Sequence, residues 1–232
     1  MLDKNLLLVD IGGTNIRYAY SNIGDSGFVS ENKAELDSLN DFDNLMSVLL
    51  AESDVKNIVF SVAGPKVNNS IKMTNRNFEI DADEIRKRFN LESCYLLNDW
   101  ESIGYSIRTF SENDFDNFKY GEPFNDTFLV IGPGTGLGAS VISGNNVIAT
   151  EIGNTNLGLS ALKSLLEINS DEFNVLEDVI SGTGISRMFE TKTGNKVKSE
   201  DIFSLSLNGD DAAIEVIDMF TIAFARTLSD LS

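Results

Sequence analysis

The feature that most constrains this chain is a strand–glycine turn–strand pattern near its start. Leu6 to Val9 is an unbroken apolar run, which predicts a strand buried on both faces, and Asp10 ends it. Gly12-Gly13-Thr14-Asn15 then turns the chain into a second strand, Ile16 to Tyr20. Glycine pairs between strands are typical of a plain β-hairpin, because glycine reaches positive φ without a Cβ penalty. Taken alone, the turn is equally well explained as a hairpin and as a ligand loop.

The same pattern returns in the second half of the chain. Phe128 to Gly132 is an apolar strand, Gly132-Pro133-Gly134-Thr135-Gly136 is the turn, and Leu137 to Ile142 continues outward. A repeated unit of this kind indicates two similar domains. Each turn offers backbone N–H groups and a threonine hydroxyl, which are the groups that hold phosphate oxygens. Two such turns favour a nucleotide-binding function.

Composition excludes several other functions. The 232 residues include no histidine, which rules out Ser-His-Asp chemistry and His-ligated zinc, so acid–base work falls to other side chains. The net charge of −18 argues against nucleic acid and anionic membranes as partners. No apolar run reaches the length of a membrane helix, and the N-terminus lacks the layout of a signal peptide. The single cysteine, Cys94, fits a reducing cytoplasm.

The order of patterns predicts an α/β fold in two lobes with a cleft for a small molecule. Residues 1–110 form the first domain, the polar and acidic segment 111–126 forms a linker, and residues 127–232 form the second domain. A buried strand is predicted over Asn57 to Val62, and a helix is predicted to open at Asp81 with Glu84 three residues on. The other predicted helices are Asn40 to Ala51 with Asn40 as N-cap, Trp100 to Ile107, Leu159 to Leu166, Phe173 to Ile180, Ile185 to Thr193, and Asp211 to Leu231. The inward stripe of the last helix is predicted to be Ile214, Ile217, Phe220, Phe224 and Leu228.

Carboxylates at strand ends are the candidates for chemistry. Asn98-Asp99 lies where a buried strand passes into a helix, and strand carboxyl ends are the usual ligand side of an α/β sheet. Asp99 is either the N-cap of that helix or a general base that takes a proton from a substrate hydroxyl. Asp10, just before the first turn, suits an Mg²⁺ role or turn initiation. Glu151 and Glu177 are candidates for binding sugar hydroxyls, although their spacing alone favours plain surface positions.

Five motifs taken together resemble the bacterial glucokinases, which belong to the sugar kinase, actin and heat-shock ATPase superfamily. The motifs are DIGGTN (Asp10 to Asn15), AGP with MTN (Ala63 to Pro65, Met73 to Asn75), LLND (Leu96 to Asp99), GPGTGLG (Gly132 to Gly138) and SGTGI (Ser181 to Ile185). Their order and spacing agree along nearly the whole chain. The resemblance implies a two-lobed actin-like ATPase fold, which is ribonuclease H-like, and a cytoplasmic hexose kinase of glycolysis. Such a kinase moves the γ-phosphoryl group of ATP, with Mg²⁺, onto the 6-hydroxyl of glucose.

The resemblance also assigns roles to individual residues. It implies Asp99 as catalytic base, Asp10 as the Mg²⁺-associated acid, and a set of sugar ligands: Asn75, Asn98, Glu151, Asn154 and Glu177. It implies a set of phosphate-turn residues: Gly12, Gly13, Thr14, Asn15, Gly132, Gly134, Thr135 and Gly136. It leaves a homodimer open.

The chain departs from the family pattern in two places. The family motif Glu-x-Gly-His occurs here as Glu151-x-Gly153-Asn154, and asparagine is shorter and cannot share a proton, which bears on glucose specificity. Family members also continue past the helix Asp211 to Leu231 into a strand, an adenosine-binding glycine turn and further helices, so the second lobe is expected to be incomplete. The alternatives are therefore a kinase for another hexose or an amino sugar, and a non-catalytic sugar-binding remnant.

Overall fold

The computed structural model describes residues 4–12, 15–25, 27–35, 38–51, 53–73, 79–118 and 125–231. The chain divides into two compact units, Met1–Tyr120 and Gly121–Ser232, and the dividing point falls inside the segment expected to be a linker. Both units contain strands and helices, so the predicted α/β class is confirmed. In the part of the chain that is described, no helix has both the length and the apolar character needed to span a membrane.

The strands of unit 1 are β1 (Leu6–Ile11), β2 (Asn15–Ser21), β3 (Val29–Glu35), β4 (Asn57–Val62), β5 (Lys66–Val67), β6 (Ser70–Lys72), β7 (Glu79–Asp81) and β8 (Ser93–Asn98). Five of them form a mixed sheet with the order β3-β2-β1-β4-β8. The short strands β5, β6 and β7 form a separate antiparallel sheet. The helices are α1 (Leu39–Ala51), α2 (Ala82–Arg88) and α3 (Asp99–Ser106).

The burial of β1 differs in part from the prediction. Leu7, Val9 and Ile11 are buried, whereas Leu6 and Leu8 are half-buried and Asp10 is exposed. The strand therefore has one strongly buried face, and the prediction of burial on both faces is wrong. The side chains of the buried face pack against α1 and β4, where Phe42 and Phe60 place their rings 5.9 Å apart.

The start of α1 also differs from expectation. The helix begins at Leu39, and Ser38 accepts the first hydrogen bonds: its hydroxyl from the Asp41 N–H and its carbonyl from the Phe42 N–H. Asn40 therefore lies inside the helix and is not the N-cap. Ser38 matches the general preference for serine at that position.

Unit 2 repeats the first part of the unit 1 sheet. Its strands β9 (Thr127–Pro133), β10 (Leu137–Ser143) and β11 (Asn146–Thr150) form an antiparallel sheet with the order β11-β10-β9, matching β3-β2-β1. In unit 1, β4 and β8 lie beyond β1, whereas no strand among the described residues of unit 2 lies beyond β9. Four helices follow: α4 (Leu159–Leu165), α5 (Gly182–Thr193), α6 (Ser199–Leu207) and α7 (Asp211–Leu231).

Two helix predictions in unit 2 are corrected. Phe173 to Ile180 contains only a 3-10 turn, Leu176–Asp178, because the Asp178 carboxylate accepts from the Asn174 and Val175 N–H groups and holds them in a turn. In α7 the buried residues are Ala213, Val216, Ala223 and Thr227, while Ile214 and Leu228 are exposed. Ile217, Phe220 and Phe224 are partly buried and pack against the core, so the predicted inward stripe is correct for these three residues and wrong for Ile214 and Leu228.

Candidate functional site

The carboxyl ends of three parallel strands meet at one edge of the unit 1 sheet. Ile11 of β1 is in register with Val62 of β4, and Val62 is in register with Asn98 of β8. The first glycine turn, the Ala63–Lys66 segment and the Asn98–Asp99 pair therefore emerge side by side. This edge is where small-molecule ligands bind in open α/β sheets.

The first glycine turn joins β1 to β2 as an antiparallel hairpin. The Gly12 N–H donates to the Asn15 carbonyl at 3.0 Å, which closes the turn. Gly13 and Thr14 lie outside the described residues, so their predicted phosphate contacts stay predictions. Asp10 faces Arg17 across the hairpin, with 3.9 Å between the carboxylate and the guanidinium, and both side chains are exposed. Such a surface pair contributes little to stability. Because Asp10 is exposed, its carboxylate is accessible from solvent.

Asn98 and Asp99 hold different positions at the start of α3. Asn98 is the N-cap, since its buried side-chain oxygen accepts from the Glu101 N–H at 2.6 Å. The alternative interpretation of Asp99 as N-cap is therefore wrong. Asp99 is the first residue of the helix and is half-buried, and its carboxylate accepts from the Trp100 N–H at 3.0 Å. Asparagine in this arrangement keeps its amide Nδ2 as a donor, because the oxygen is the atom used by the cap.

Glu101 is a residue of this region that the sequence interpretation missed. It is buried, its carboxylate accepts from the Asn98 N–H at 3.3 Å, and the Lys66 ammonium lies 3.1 Å from it. The pattern Asn98-x-x-Glu101 is the capping-box signature, so the local part of this arrangement was available in the sequence. Lys66 was not, because a contact across 35 positions leaves no local pattern.

In unit 2 the second glycine turn is held by the SGTG motif. The Gly134 N–H closes the turn on the Gly136 carbonyl at 2.8 Å, and the Gly182 N–H donates to the Gly134 carbonyl at 2.8 Å. The Thr183 hydroxyl donates to the Thr135 carbonyl at 2.8 Å. Among the described residues, no protein acceptor is bonded to the Thr135 or Gly136 N–H. These two N–H groups are therefore available as hydrogen-bond donors to a ligand.

Two of the predicted sugar ligands of unit 2 share one short segment. Glu151 follows β11, and Asn154 ends the 3-10 turn Ile152–Asn154, so that the Asn154 amide donates to the Glu151 carboxylate at 3.1 Å. Both side chains are exposed. Glu177 lies close by: its carboxylate accepts from the Leu137 N–H at 3.3 Å. The structure thus brings Glu151, Asn154 and Glu177 together with the glycine turn, while Asn75 lies outside the described residues.

A groove of unit 2 that is lined in part by Glu151 has a volume of about 740 Å³. Its lining is mostly apolar, with contributions from Phe128, Leu129, Val141 and Leu157. A sugar site needs convergent polar groups, and this groove provides few. Among the described residues there is also no group of three or more metal-binding side chains.

Comparisons with known proteins define first the class and then the family. A crystal structure of glucokinase from an Antarctic psychrotroph superimposes with a TM-score of 0.76 at 23% identity, covering 100% of this chain and 79% of that one. A ROK family glucokinase from Streptomyces griseus in complex with glucose and AMPPNP gives 0.65 at 19% identity, covering 97% of this chain and 78% of that one. The fold is therefore that of the actin-like sugar kinases, as the resemblance implied.

The family is shown by sequence. The family model described as Glucokinase matches residues 7–232, so the chain belongs to the glucokinase family. The curated glucokinase of Nostoc punctiforme is 28% identical over 212 residues, covering 84% of this chain and 62% of the relative. The chain thus spans less than two thirds of the length of that relative.

Proposed function

We propose that this chain acts as an ATP-dependent hexose kinase that transfers the γ-phosphoryl group of ATP to the 6-hydroxyl of glucose. The observation that carries the proposal is the alignment of the carboxyl ends of β1, β4 and β8, because Asp99 directly follows β8 at the edge where open α/β sheets bind ligands. Membership of the glucokinase family supports the same reaction.

Asp99 is proposed as the general base. Its carboxylate takes the proton of the sugar 6-hydroxyl as that oxygen bonds to the γ-phosphorus, while the bond to the β-phosphate oxygen breaks and ADP leaves. The Asn98 amide is proposed to donate to a sugar hydroxyl, since its oxygen is held by the Glu101 N–H. In this family of reactions, positioning and electrostatics supply most of the rate.

Each of the two glycine turns is proposed to be a phosphate-binding turn. The Thr135 and Gly136 N–H groups provide donors in unit 2, and the turn around Gly12 provides the counterpart in unit 1. Asp10 suits Mg²⁺, because this ion takes one or two protein carboxylates and completes its shell with phosphate oxygens and water. The ion would neutralise charge on the transferred phosphoryl group. It would also reduce the repulsion between ATP and a chain of net charge −18.

Glucose is proposed as the sugar because the Streptomyces griseus relative is described in complex with glucose and AMPPNP. Glu151, Asn154 and Glu177 are the proposed ligands in unit 2. Asn154 is the position that bears on specificity, since its amide is paired with Glu151. A hexose with a different substituent at this subsite, including an amino sugar, is the competing substrate class. A cytoplasmic location, a place in glycolysis and the absence of nucleic acid partners stay predictions.

The test is a coupled phosphorylation assay with Mg·ATP and a panel of hexoses and amino sugars. Asp99→Asn is expected to lower kcat by about 10²-fold or more, the usual loss on removing a general base, while glucose affinity changes little. Asp54→Asn, at an exposed aspartate outside the site, is the matched control and should keep the wild-type rate. Full activity in Asp99→Asn would show that another group is the base. A folded chain that turns over none of the sugars would overturn the kinase proposal and leave a sugar-binding protein.

A further inference from the structure

Glu177 occupies a junction between two segments that the proposed function assigns to different substrates. Its carboxylate oxygen Oε2 accepts from the N–H of Leu137, the first residue of β10 after the glycine turn. An N–H at the end of a turn normally bonds to backbone or water, so a carboxylate from a distant segment is a specific arrangement. Hydrogen bonds to ionised acceptors are also the stronger kind.

The same oxygen lies against two glycines. A Cβ placed on Gly136 would lie 2.6 Å from Glu177 Oε2, and a Cβ placed on Gly153 would lie 3.2 Å from it. Gly136 belongs to the turn proposed for ATP phosphates, and Gly153 belongs to the 3-10 turn that carries the proposed sugar ligands Glu151 and Asn154. One carboxylate oxygen therefore contacts both segments where neither has a side chain.

Glu177 is itself held from several directions. The Ser181 hydroxyl donates to the Glu177 carbonyl at 2.6 Å, and the Leu176 N–H donates to the Thr155 carbonyl at 2.8 Å, directly after the 3-10 turn that contains Gly153. Leu176 is fully buried. The carboxylate is thus presented from a fixed backbone, and a displacement of either glycine segment requires it to move.

We propose that Glu177 is a positioning residue that couples the sugar segment to the phosphate turn, so that binding of hexose and binding of nucleotide depend on each other. The inference rests on the proposed function and goes beyond the role of a sugar ligand. A carboxylate that only bound sugar would affect sugar binding alone. A carboxylate that also fixes the Leu137 N–H and the turn before it affects nucleotide binding as well.

The first experiment separates the two roles through KM values. Glu177→Ala removes the acceptor and is expected to raise KM for both glucose and ATP roughly tenfold, the order expected for a lost hydrogen bond to a charged group. Glu177→Gln keeps an oxygen that can accept from Leu137, so KM for ATP should return to within about twofold of wild type while KM for glucose stays raised. An unchanged KM for ATP in Glu177→Ala would overturn the coupling.

Substitutions at the two glycines provide a matched pair. At Gly136 an added Cβ would lie near atoms of the Glu177 carboxylate alone. Gly136→Ala should therefore raise KM for ATP in the wild type and should change this KM very little in the Glu177→Ala background. At Gly153 a Cβ would lie 2.3 Å from the Leu137 carbonyl oxygen. Gly153→Ala should therefore raise KM by a similar factor in the wild type and in the Glu177→Ala background. Equal, additive effects of Gly136→Ala in both backgrounds would contradict the proposed contact.

A binding measurement distinguishes failure of this inference from failure of the kinase proposal. Calorimetry of glucose and AMPPNP, singly and together, gives the coupling between the two ligands without any turnover. Coupling that is present in the wild type and lost in Glu177→Ala supports the inference even where no phosphoryl transfer occurs. Amide exchange at Leu137 should accelerate in Glu177→Ala and not in Glu177→Gln. A wild-type chain that binds the two ligands independently overturns the coupling, whatever its kinase activity.

Discussion

The Lys66 ammonium lies 3.1 Å from the buried Glu101 carboxylate, and this ion pair ties the segment after β4 to the first turn of α3. Glu101 also accepts from the Asn98 N–H, so that the carboxylate supports the cap that precedes Asp99. The pair therefore connects a loop at the ligand edge of unit 1 to the residue proposed as general base. Its members are 27% and 12% exposed, which places them well inside the surface.

Lys66→Met is expected to destabilise unit 1 by about 1–3 kcal/mol, because it leaves a buried carboxylate without its cation. Adding Glu101→Gln should restore part of that loss, since the amide oxygen still accepts from Asn98 and no charge remains. Urea unfolding of the two single variants and the double variant measures the coupling. Lys72→Met, at an exposed lysine of β6, is the control and should change stability by less than about 0.5 kcal/mol. Losses that simply add would show that the pair contributes no coupling.

The two roles of Asn98 are separable by substitution. Asn98→Ser keeps a side-chain acceptor for the Glu101 N–H, whereas Asn98→Ala removes it. We expect Asn98→Ala to lower the free energy of unfolding by about 0.5–2 kcal/mol and Asn98→Ser to lower it by less. Both variants lack the amide proposed to donate to sugar, so glucose affinity should fall in both. Equal stability of the two would argue against the cap, and unchanged glucose affinity would argue against the sugar contact.

The sequence predicted the parts of the fold that depend on local pattern. Asn57–Val62 is rich in apolar and β-branched residues, and its strand bounds were predicted correctly. Asp81 caps α2 through the Glu84 N–H, as the spacing of these two residues indicated. The repeat of the glycine turn correctly predicted the repeated hairpins of the two units, since both depend on the same short-range turn chemistry.

The predictions from sequence failed where tertiary contacts determine the structure. Apolar residues occur around much of α7, so periodicity did not identify the face on which Ala213, Val216 and Ala223 allow close packing. The helix α6 has only Ile202 buried and no side-chain cap, so it left no clear local signal. For the candidate site, sequence motifs identified Asn98, Asp99 and the glycine turns. The contacts of Lys66 and Glu177 come from distant segments and were accessible only in the structure.

The thiol of Cys94 is predicted to be unreactive and to lower stability at high pH. Burial, with a contribution from the Asp83 carboxylate, raises the pKa of Cys94 from 9.0 to about 12. In the unfolded chain the thiol ionises from pH 9 upward, whereas in the folded chain it stays neutral until about pH 12. Ionisation of this thiol therefore leaves the free energy of unfolding unchanged below pH 9. Between pH 9 and pH 12 it lowers the free energy of unfolding by at most about 1.4 kcal/mol per pH unit.

Urea unfolding of wild type and Cys94→Ala across pH 8 to 11 measures this effect, since other ionisations occur in both proteins. The wild type should lose stability relative to the variant as the pH rises. A thiol reagent at pH 8 should react slowly with the folded protein and promptly in urea. Rapid reaction of the folded protein, or a constant stability difference across the pH range, would contradict the buried neutral thiol.

Asp178 provides the opposite pH dependence. Its partial burial raises the pKa, but hydrogen bonds from the Asn174 and Val175 N–H groups and from Arg187 outweigh this and hold the pKa of Asp178 below its ordinary 3.8. A carboxyl whose folded pKa is lowered stabilises the protein fully above the unfolded value, and this contribution is lost as the pH falls through the folded pKa. Asp178→Asn should therefore be less stable than wild type at pH 7, by about 1–3 kcal/mol. The difference should shrink below pH 4.

Urea unfolding at pH 7, 5, 4 and 3 tests this expectation, with Asp171→Asn as the control because Asp171 is exposed in the same loop. The carboxylate is what turns Asn174 and Val175 back on the chain, in place of the helix that the sequence pattern predicted for Phe173 to Ile180. That turn also precedes α5 and presents Glu177 to the second glycine turn. Asp178→Asn should consequently accelerate amide exchange at Leu137 at pH 7. A stability difference that stayed constant from pH 7 to pH 3 would show that ionisation of Asp178 is not what maintains the turn.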